Sequence, residues 1–181
     1  MRITSGHFKG LKLKAPKDRD IRPMMDRVRK TLFDVLGSRV SGAKVLDLFC
    51  GTGALGLEAL SRGAQEVVFV DQSPKALALV RENLKRAKVA EGYEIVRQTL
   101  PKGLRKLAGK GPFEIIFLTP PYGRGLAEKT FPLLYEFLAP QGILVVEERL
   151  GVALPQVSGL ELVNRKEFGQ TELLFWRRND E

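Results

Sequence analysis

The stretch VLDLFCGTGALG, residues 45–56, decides the fold. Its first part is apolar enough for a buried strand, and its last part begins a helical segment. Between them lie Gly51, Gly53 and Gly56 in a G-x-G-x-x-G spacing. Glycines let the backbone turn tightly and approach a ligand closely, and the start of the following helix offers free N–H donors. The stretch therefore predicts a strand, a turn and a helix that together bind a nucleotide-like cofactor.

Short apolar strands alternate with helical segments along the chain after Gly42. Such alternation is typical of βαβ units, which form a parallel sheet with helices on both faces. Gly169 and Gln170 join the last two strands as a hairpin. We predict an α/β fold with a doubly wound, mostly parallel, seven-stranded Rossmann-like sheet and an antiparallel C-terminal edge hairpin. The predicted strands are 43–49, 66–71, 93–97, 113–118, 143–147, 160–168 and 171–176, and the predicted helices are 24–36, 54–62, 74–88, 100–108 and 126–138.

Two aspartates indicate which cofactor the glycine turn binds. Asp71 ends the second predicted strand, where a carboxylate can accept hydrogen bonds from two ribose hydroxyls of either NAD or S-adenosylmethionine. Asp47 lies four residues before Gly51. A carboxylate there is unfavourable beside a pyrophosphate but favourable beside the ammonium and sulfonium of S-adenosylmethionine. We therefore predict S-adenosylmethionine as cofactor, bound by Asp47, Phe49, Gly51, Gly53 and Asp71, and keep a nicotinamide dehydrogenase as an alternative.

The adenine contacts are less clear from the sequence. Gln98 and Thr99 follow the third predicted strand and could reach the edge of the base. A polar loop residue without a ligand explains them equally well. Both are included in the predicted cofactor-binding set.

A second motif, Thr119-Pro120-Pro121-Tyr122, follows the predicted strand 113–118. Consecutive prolines keep the backbone extended and leave carbonyl oxygens without a neighbouring amide donor. The oxygens of Thr119 and Pro120 can then accept hydrogen bonds from an amino group, and Tyr122 offers a flat face to an extruded base. An exocyclic amine is a poor nucleophile, so acceptors that orient it toward a methyl sulfonium would contribute most of the rate. The motif predicts methyl transfer to a base amine.

The positive charge is concentrated at the N-terminus. The chain has a net charge of +9, and its first 30 residues hold ten Lys and Arg against three Asp. This asymmetry favours a polyanionic partner, although a solvated charged face explains the charge alone equally well. Residues 2–14 predict a short basic hairpin, and the apolar spacing in 24–36 predicts an amphipathic helix with a basic side that ends at Gly37.

The composition excludes several classes of protein. A chain of 181 residues with 44% hydrophobic and 28% charged residues fits one folded domain. Its apolar runs are far shorter than the ~20 residues of a membrane helix, so we expect a soluble protein without membrane contact. Cys50 is the single cysteine and His7 the single histidine, so we expect no disulfide and no metal site. Without a leader segment, the expected location is the cytoplasm.

Three runs of the sequence resemble the bacterial RsmD-type methyltransferases. They are RPMMDRVR (22–29), LDLFCGTGALGLEALSRGA (46–64) and FLTPPY (117–122). The resemblance covers nearly the whole chain, from Lys9 and Gly10 to the hairpin at Gly169. The RPxxDRVR and EALSRGA runs are specific to that family, whereas many methyltransferases share the glycine turn.

The resemblance implies a class I enzyme that methylates the N2 amine of a guanine in 16S ribosomal RNA with S-adenosylmethionine. It implies that Thr119, Pro120 and Tyr122 act in catalysis. Residues 1–22 would form a basic RNA-docking extension and residues 23–181 the methyltransferase domain. The expected partner is ribosomal RNA or the assembling small subunit, bound by a monomer. The expected RNA-binding residues are Lys9, Lys12, Lys14, Arg22, Arg27 and Arg29.

The sequence departs from the family pattern at three places, one of which is the family's acidic position after the third strand, occupied here by Gln98 and Thr99. Thr119 occupies a position where the family usually has Asp, Asn or Ser, and so lacks a carboxylate's charge. Asp71 occupies a position where Glu is common, but it can still reach a ribose. Two further hypotheses stay open: an adenine-N6 methyltransferase acting on DNA or RNA, and a non-catalytic RNA-binding or assembly protein with the same fold.

Overall fold

A seven-stranded sheet forms the centre of the molecule. The computed structural model describes residues 1–17 and 23–180. The strands are β1 (Lys44–Leu48), β2 (Glu66–Asp71), β3 (Tyr93–Arg97), β4 (Phe113–Leu118), β5 (Leu138–Arg149), β6 (Leu160–Phe168) and β7 (Thr171–Arg178). They lie in the order β3-β2-β1-β4-β5-β7-β6.

The pairing of the strands confirms the predicted fold class. Strands β1 to β5 pair in parallel, whereas β7 is antiparallel to both β5 and β6. β1 lies between β2 and β4, so the chain order reverses at β1. In doubly wound sheets, ligands bind at the carboxyl ends of the strands on either side of such a reversal.

In the described part of the chain, four α-helices surround the sheet: α1 (Asp26–Leu36), α2 (Ala54–Ser61), α3 (Pro74–Arg86) and α4 (Leu126–Thr130). Helix α1 ends as predicted at Gly37, whose φ of 55° suits glycine. Helix α3 starts at Pro74, and the preceding Ser73 side chain accepts a hydrogen bond from the Ala76 N–H at 3.2 Å. None of the helices in the described ranges has the length and apolar character needed to cross a membrane.

Buried apolar side chains form one cluster on each face of the sheet. Val45 of β1 belongs to the cluster that includes α1, α2 and α3. Leu46 and Leu48 belong to the other cluster, which α4 and the segment 100–107 cover. Side chains of a strand point alternately to its two faces, so a strand buried on both faces reads as a continuous apolar run.

Residues 1–14 form the predicted basic hairpin, which we call the N-terminal hairpin. Arg2 and Lys12 form an antiparallel bridge, and the Ile3 N–H donates to the Leu11 carbonyl at 3.0 Å. The side chains of Ile3 and Leu13 are each 2% exposed and belong to the cluster around α1 and α2. The N-terminal hairpin is therefore packed onto the core of the sheet domain.

Two predicted helices differ from the structure. The predicted helix 126–138 ends at Thr130, and two 3₁₀ turns, Phe131–Leu133 and Tyr135–Phe137, lead into β5. Pro132 has no N–H and cannot continue the helical hydrogen bonds. The predicted helix 100–108 is a 3₁₀ segment over Leu104–Lys110, flanked by glycines at 103 and 111 that disfavour an α-helix.

Candidate cofactor and substrate site

A cleft of about 670 Å³ lies at the carboxyl ends of the central strands. The glycine turn contributes Phe49 and Gly51, and the end of β2 contributes Asp71. Across the cleft, Thr119 and Pro120 follow the end of β4. The structure thus brings the predicted cofactor turn and the predicted reaction motif into one cavity, although 48 residues separate Asp71 from Thr119 in the sequence.

Backbone amides hold the carboxylate of Asp71 in place. Its Oδ2 accepts a hydrogen bond from the Gly51 N–H at 3.0 Å, and its Oδ1 accepts one from the Ser73 N–H at 2.9 Å. Each carboxylate oxygen has a further lone pair for a ligand hydroxyl. Asp71 is partly exposed and lines the cleft, so it is well placed to accept hydrogen bonds from a diol.

The three glycines of the turn have different roles. A Cβ on Gly53, whose φ is 81°, would lie 3.1 Å from the Val80 Cγ2 atom. A Cβ on Gly56 would lie 2.2 Å from the Phe69 Cε1 atom, so this glycine is needed for the packing of α2 on β2. Gly51 alone of the three lines the cleft. The sequence motif does not distinguish a glycine that lets a ligand approach from one that lets a helix pack. Only contacts with distant parts of the chain distinguish the two roles.

Asp47 is fully buried beneath the glycine turn and outside the cleft wall. Its Oδ2 accepts a hydrogen bond from the Gly56 N–H at 3.0 Å, whereas its Oδ1 has no hydrogen-bond partner among residues 1–17 and 23–180. Burial raises the pKa of this carboxyl well above its usual value, and the negative charge of Asp71 raises it further. An incompletely paired buried carboxylate is costly, so the site favours a ligand that brings positive charge.

Two predicted adenine-binding residues also line the cleft. Gln98 and Thr99 follow β3, and the Gln98 N–H donates to the carbonyl of Asp71 at 3.1 Å. Their side chains stand at the cleft beside Asp71, so a base attached to a ribose at Asp71 could reach them. Contact with adenine remains a prediction.

Tyr122 is not among the described residues that line the cleft with Thr119 and Pro120. Its hydroxyl donates a hydrogen bond to the Glu147 Oε1 atom at 2.9 Å. The guanidinium of Arg149 lies over the Tyr122 ring, 5.4 Å from the ring centroid. Stacking of a substrate base on Tyr122 remains a prediction, and Arg149 already covers part of that ring.

Sequence reasoning missed four residues near the site. Arg124 and Gln72 line the cleft, and Glu147 and Arg149 contact Tyr122. The position of Arg124 two residues after the Pro-Pro-Tyr motif was a usable signal. Glu147 and Arg149 gave no local signal, because the end of β5 meets the motif only through strand pairing.

The predicted RNA-binding residues fall into three groups. Lys9, Lys12, Lys14 and Arg27 are exposed, and their contact with RNA remains a prediction. Arg22 lies outside the described residues. The prediction for Arg29 is wrong, because its side chain is completely buried and cannot reach an RNA.

Arg29 instead belongs to a charged cluster with Asp26, Glu58 and Arg62, which we call the Glu58 cluster and in which Arg29 and Glu58 are fully buried. The Arg29 Nε donates to the Glu58 Oε1 at 3.1 Å, and an Arg29 Nη2 donates to the Asp26 Oδ1 at 3.0 Å. The Arg62 Nε donates to the Glu58 Oε2 at 3.1 Å. These four residues come from the two family-specific runs, 22–29 and 58–64, so the runs meet in space.

The Glu58 cluster also holds the N-terminal hairpin. Glu58 accepts hydrogen bonds from the backbone N–H groups of Thr4, at 2.9 Å, and Ser5, at 3.2 Å. Arg29 donates to the carbonyl of Arg2, and Ser61 on α2 accepts from the Phe8 N–H at 2.9 Å. The two specific runs therefore fix the N-terminal hairpin to α1 and α2, which is a structural role.

Comparison with known proteins places this geometry in a family. The family model described as "Conserved hypothetical protein 95" matches residues 1–177. The Escherichia coli protein named ribosomal RNA small subunit methyltransferase D is 36% identical over 182 residues, covering 98% of this chain and 90% of its own. The chain belongs to the family of this model and of the methyltransferase D proteins. The resemblance to RsmD-type proteins that the sequence motifs indicate is thereby confirmed.

Solved structures of family members share the fold. The Escherichia coli protein yhhF has a TM-score of 0.86 and 35% identity, with 100% of this chain and 99% of that chain covered. The Thermus thermophilus protein TTHA0928 has a TM-score of 0.82 and 32% identity, with 97% and 98% covered. The Haemophilus influenzae methyltransferase D is 35% identical over 150 residues, covering 81% of this chain and 78% of its own. This chain thus shares its fold with both solved structures.

Proposed function

We propose that this RsmD-family protein transfers a methyl group from S-adenosylmethionine to the exocyclic N2 amine of a guanine in 16S ribosomal RNA. One observation carries the proposal: Thr119 and Pro120 share a cleft with Asp71 and the glycine turn. A methyl donor at the turn would face an amine at the prolines. The names of the related ribosomal RNA methyltransferases support the RNA substrate.

The residues present fit S-adenosylmethionine. The amide-anchored Asp71 would accept hydrogen bonds from the two ribose hydroxyls, and Gln98 and Thr99 would contact the adenine. Asp47 lies below the turn with its pKa raised by burial, and the ammonium and sulfonium charges of the ligand would stabilise its carboxylate form. A dinucleotide would instead place a pyrophosphate near this carboxylate, so the nicotinamide alternative is disfavoured.

The cofactor supplies an electrophilic methyl group on a positively charged sulfur. The chain's own contribution is to hold the target amine. The carbonyl oxygens of Thr119 and Pro120 would accept hydrogen bonds from the two N–H groups of the amine. They would thereby direct the nitrogen lone pair at the methyl carbon. As the N–C bond forms, the S–C bond breaks toward sulfur, and the amine then loses one proton to water. No metal ligand is needed for this step, since positioning provides the rate.

The N-terminal basic residues would bind the RNA backbone. Lys9, Lys12 and Lys14 project from the N-terminal hairpin into solvent, and Arg27 is exposed on α1. Lysine and arginine contacts to phosphates carry little sequence information but add affinity and orient the substrate. We propose residues 1–22 as the docking segment of a monomeric enzyme that acts in the cytoplasm on ribosomal RNA or the assembling small subunit.

A transfer assay tests the proposal. Purified protein is incubated with methyl-labelled S-adenosylmethionine and either 16S RNA or unmethylated small subunits, and the RNA is then digested to nucleosides. We expect label in N2-methylguanosine at one position. Label in N6-methyladenosine would replace this function by the adenine alternative. No label with either substrate, despite cofactor binding, would favour a non-catalytic RNA-binding protein.

A further inference from the structure

Glu147 stands at the end of β5 beside the reaction motif. Val146 on β5 pairs with Leu118, the last residue of β4. Glu147 is therefore level with Thr119, which directly follows β4. The Glu147 side chain is only 4% exposed, and its Oε1 accepts the hydrogen bond of the Tyr122 hydroxyl at 2.9 Å. A hydrogen bond to a charged acceptor is stronger than one between neutral groups. The contact therefore anchors the far end of the Tyr122 ring to the sheet.

Arg149 contacts one face of the same Tyr122 ring. Its guanidinium lies 5.4 Å from the Tyr122 ring centroid, a distance typical of a cation–π contact. Arg149 follows Glu147 by two residues on β5, so both emerge on the same side of the strand.

We propose that Glu147 is a positioning residue for methyl transfer, which holds the Tyr122 ring in the plane on which the target base stacks. This inference rests on the proposed function. A tyrosine side chain turns about two bonds, and a hydrogen bond at its hydroxyl restricts both. The ring of Tyr122 would then be ordered before the RNA binds, and Thr119 would need no charge because the sheet-anchored carboxylate orders the motif from the neighbouring strand.

The hydrogen bond between Tyr122 and Glu147 should affect methyl transfer but not cofactor binding. Glu147 and Tyr122 are both outside the set of described residues that line the cofactor cleft. Loss of their hydrogen bond should therefore lower kcat while the affinity for S-adenosylmethionine stays constant. A residue that merely stabilised the fold would change both quantities or neither.

Kinetics of four variants test this prediction. We expect Glu147→Ala and Tyr122→Phe each to lower kcat about tenfold, because the stacking plane is no longer fixed. Both changes remove the hydrogen bond between Tyr122 and Glu147, so the loss in the double variant should be smaller than the product of the two single losses. Glu147→Gln keeps an acceptor oxygen and should retain most of the activity. An unchanged kcat in Glu147→Ala, or additive losses in the double variant, would overturn the proposal.

Glu172→Ala is a matched control. Glu172 is also 4% exposed and lies near the start of β7, where it pairs with Arg165 and accepts a hydrogen bond from the Gly151 N–H at 3.0 Å. It touches neither the cleft nor Tyr122, so its loss should leave kcat within about twofold. A tenfold loss in this control would show that any buried glutamate at this edge matters, and would remove the specific role of Glu147.

A second measurement does not depend on activity. The chain has three tyrosines, so protein labelled with 3-fluorotyrosine should give three fluorine NMR signals, with Tyr122 assigned by its loss in Tyr122→Phe. Glu147→Ala should shift and narrow the Tyr122 signal, whereas Glu172→Ala should not. An unmoved signal overturns the anchoring. A shifted signal in a protein that methylates no RNA overturns the proposed function and the transfer role but keeps the contact.

Discussion

At the scale of single residues, Asp47 connects the chemistry of the site to measurable proton binding. Burial raises the pKa of its carboxyl in the free protein, and the nearby Asp71 raises it further. A cationic ligand beside the carboxyl would lower that pKa. Because the free protein then holds the proton more tightly than the complex, binding of S-adenosylmethionine releases a proton in the pH range between the two pKa values.

We therefore expect the affinity for S-adenosylmethionine to rise with pH through that range and to level off above the pKa of the free protein. Calorimetric titrations at a series of pH values, in buffers of different ionisation enthalpy, measure both the affinity and the released proton. Asp47→Asn should weaken binding and flatten the pH dependence. An affinity that falls with rising pH would contradict the assignment of Asp47 to a cationic group.

The same residue predicts a gain in stability that accompanies the loss of binding. A carboxyl whose folded pKa is raised disfavours the folded state as pH rises from the unfolded pKa toward the folded one. Asp47→Asn removes that penalty and keeps an oxygen for the Gly56 N–H. The free variant should melt at a higher temperature than the wild type at neutral pH. Asp71→Asn is the control, since it puts an amide NH₂ against a backbone donor and should bring no gain.

At the scale of elements, the Glu58 cluster joins the N-terminal hairpin, α1 and α2 through buried charges. Both Arg29 and Glu58 have fully buried side chains, and removing one member of such a pair leaves the other charge uncompensated. We expect Glu58→Gln to lower the free energy of unfolding by about 3–5 kcal/mol, measured by urea denaturation. Exchange of the backbone N–H groups of Thr4 and Ser5 should accelerate with it.

Lys30 and Asp34 provide the matched control on α1. Their side chains are 60% and 55% exposed, and their charged groups are 2.8 Å apart. An exposed pair contributes less than about 1 kcal/mol, so Lys30→Met should change the free energy of unfolding only slightly. Similar losses in Glu58→Gln and Lys30→Met would contradict the view that the buried cluster holds the hairpin.

The elements also show what local sequence can and cannot predict. The strands 66–71, 93–97 and 113–118 were predicted with their observed bounds, because alternating or continuous apolar runs bounded by glycine or proline are local signals. The role of Arg29 was not predictable, since its partner Glu58 is 29 residues away and burial of a charge depends on that partner. The Tyr122 and Glu147 contact was missed for the same reason, across 25 residues.

At the scale of the whole molecule, the positive charge is separated from the near-neutral sheet domain. Ten cations and three acids occupy residues 1–30, although the chain as a whole carries only +9. The described cations Lys9, Lys12 and Lys14 are exposed on a hairpin that the Glu58 cluster holds rigidly. A rigid basic surface binds a polyanion without the entropy cost of ordering a flexible tail.

The triple variant Lys9→Ala, Lys12→Ala and Lys14→Ala should weaken binding of 16S RNA. Because each phosphate contact releases condensed counterions, the slope of log K against log salt should fall by about 2 for three contacts to single-stranded RNA. Cofactor affinity should not change. The matched control removes three exposed cations, Lys102, Arg105 and Lys106, from the segment 102–106 on the opposite face of the sheet. If both triple variants reduce the slope equally, the RNA responds to net charge alone, and residues 1–22 are not a specific docking segment.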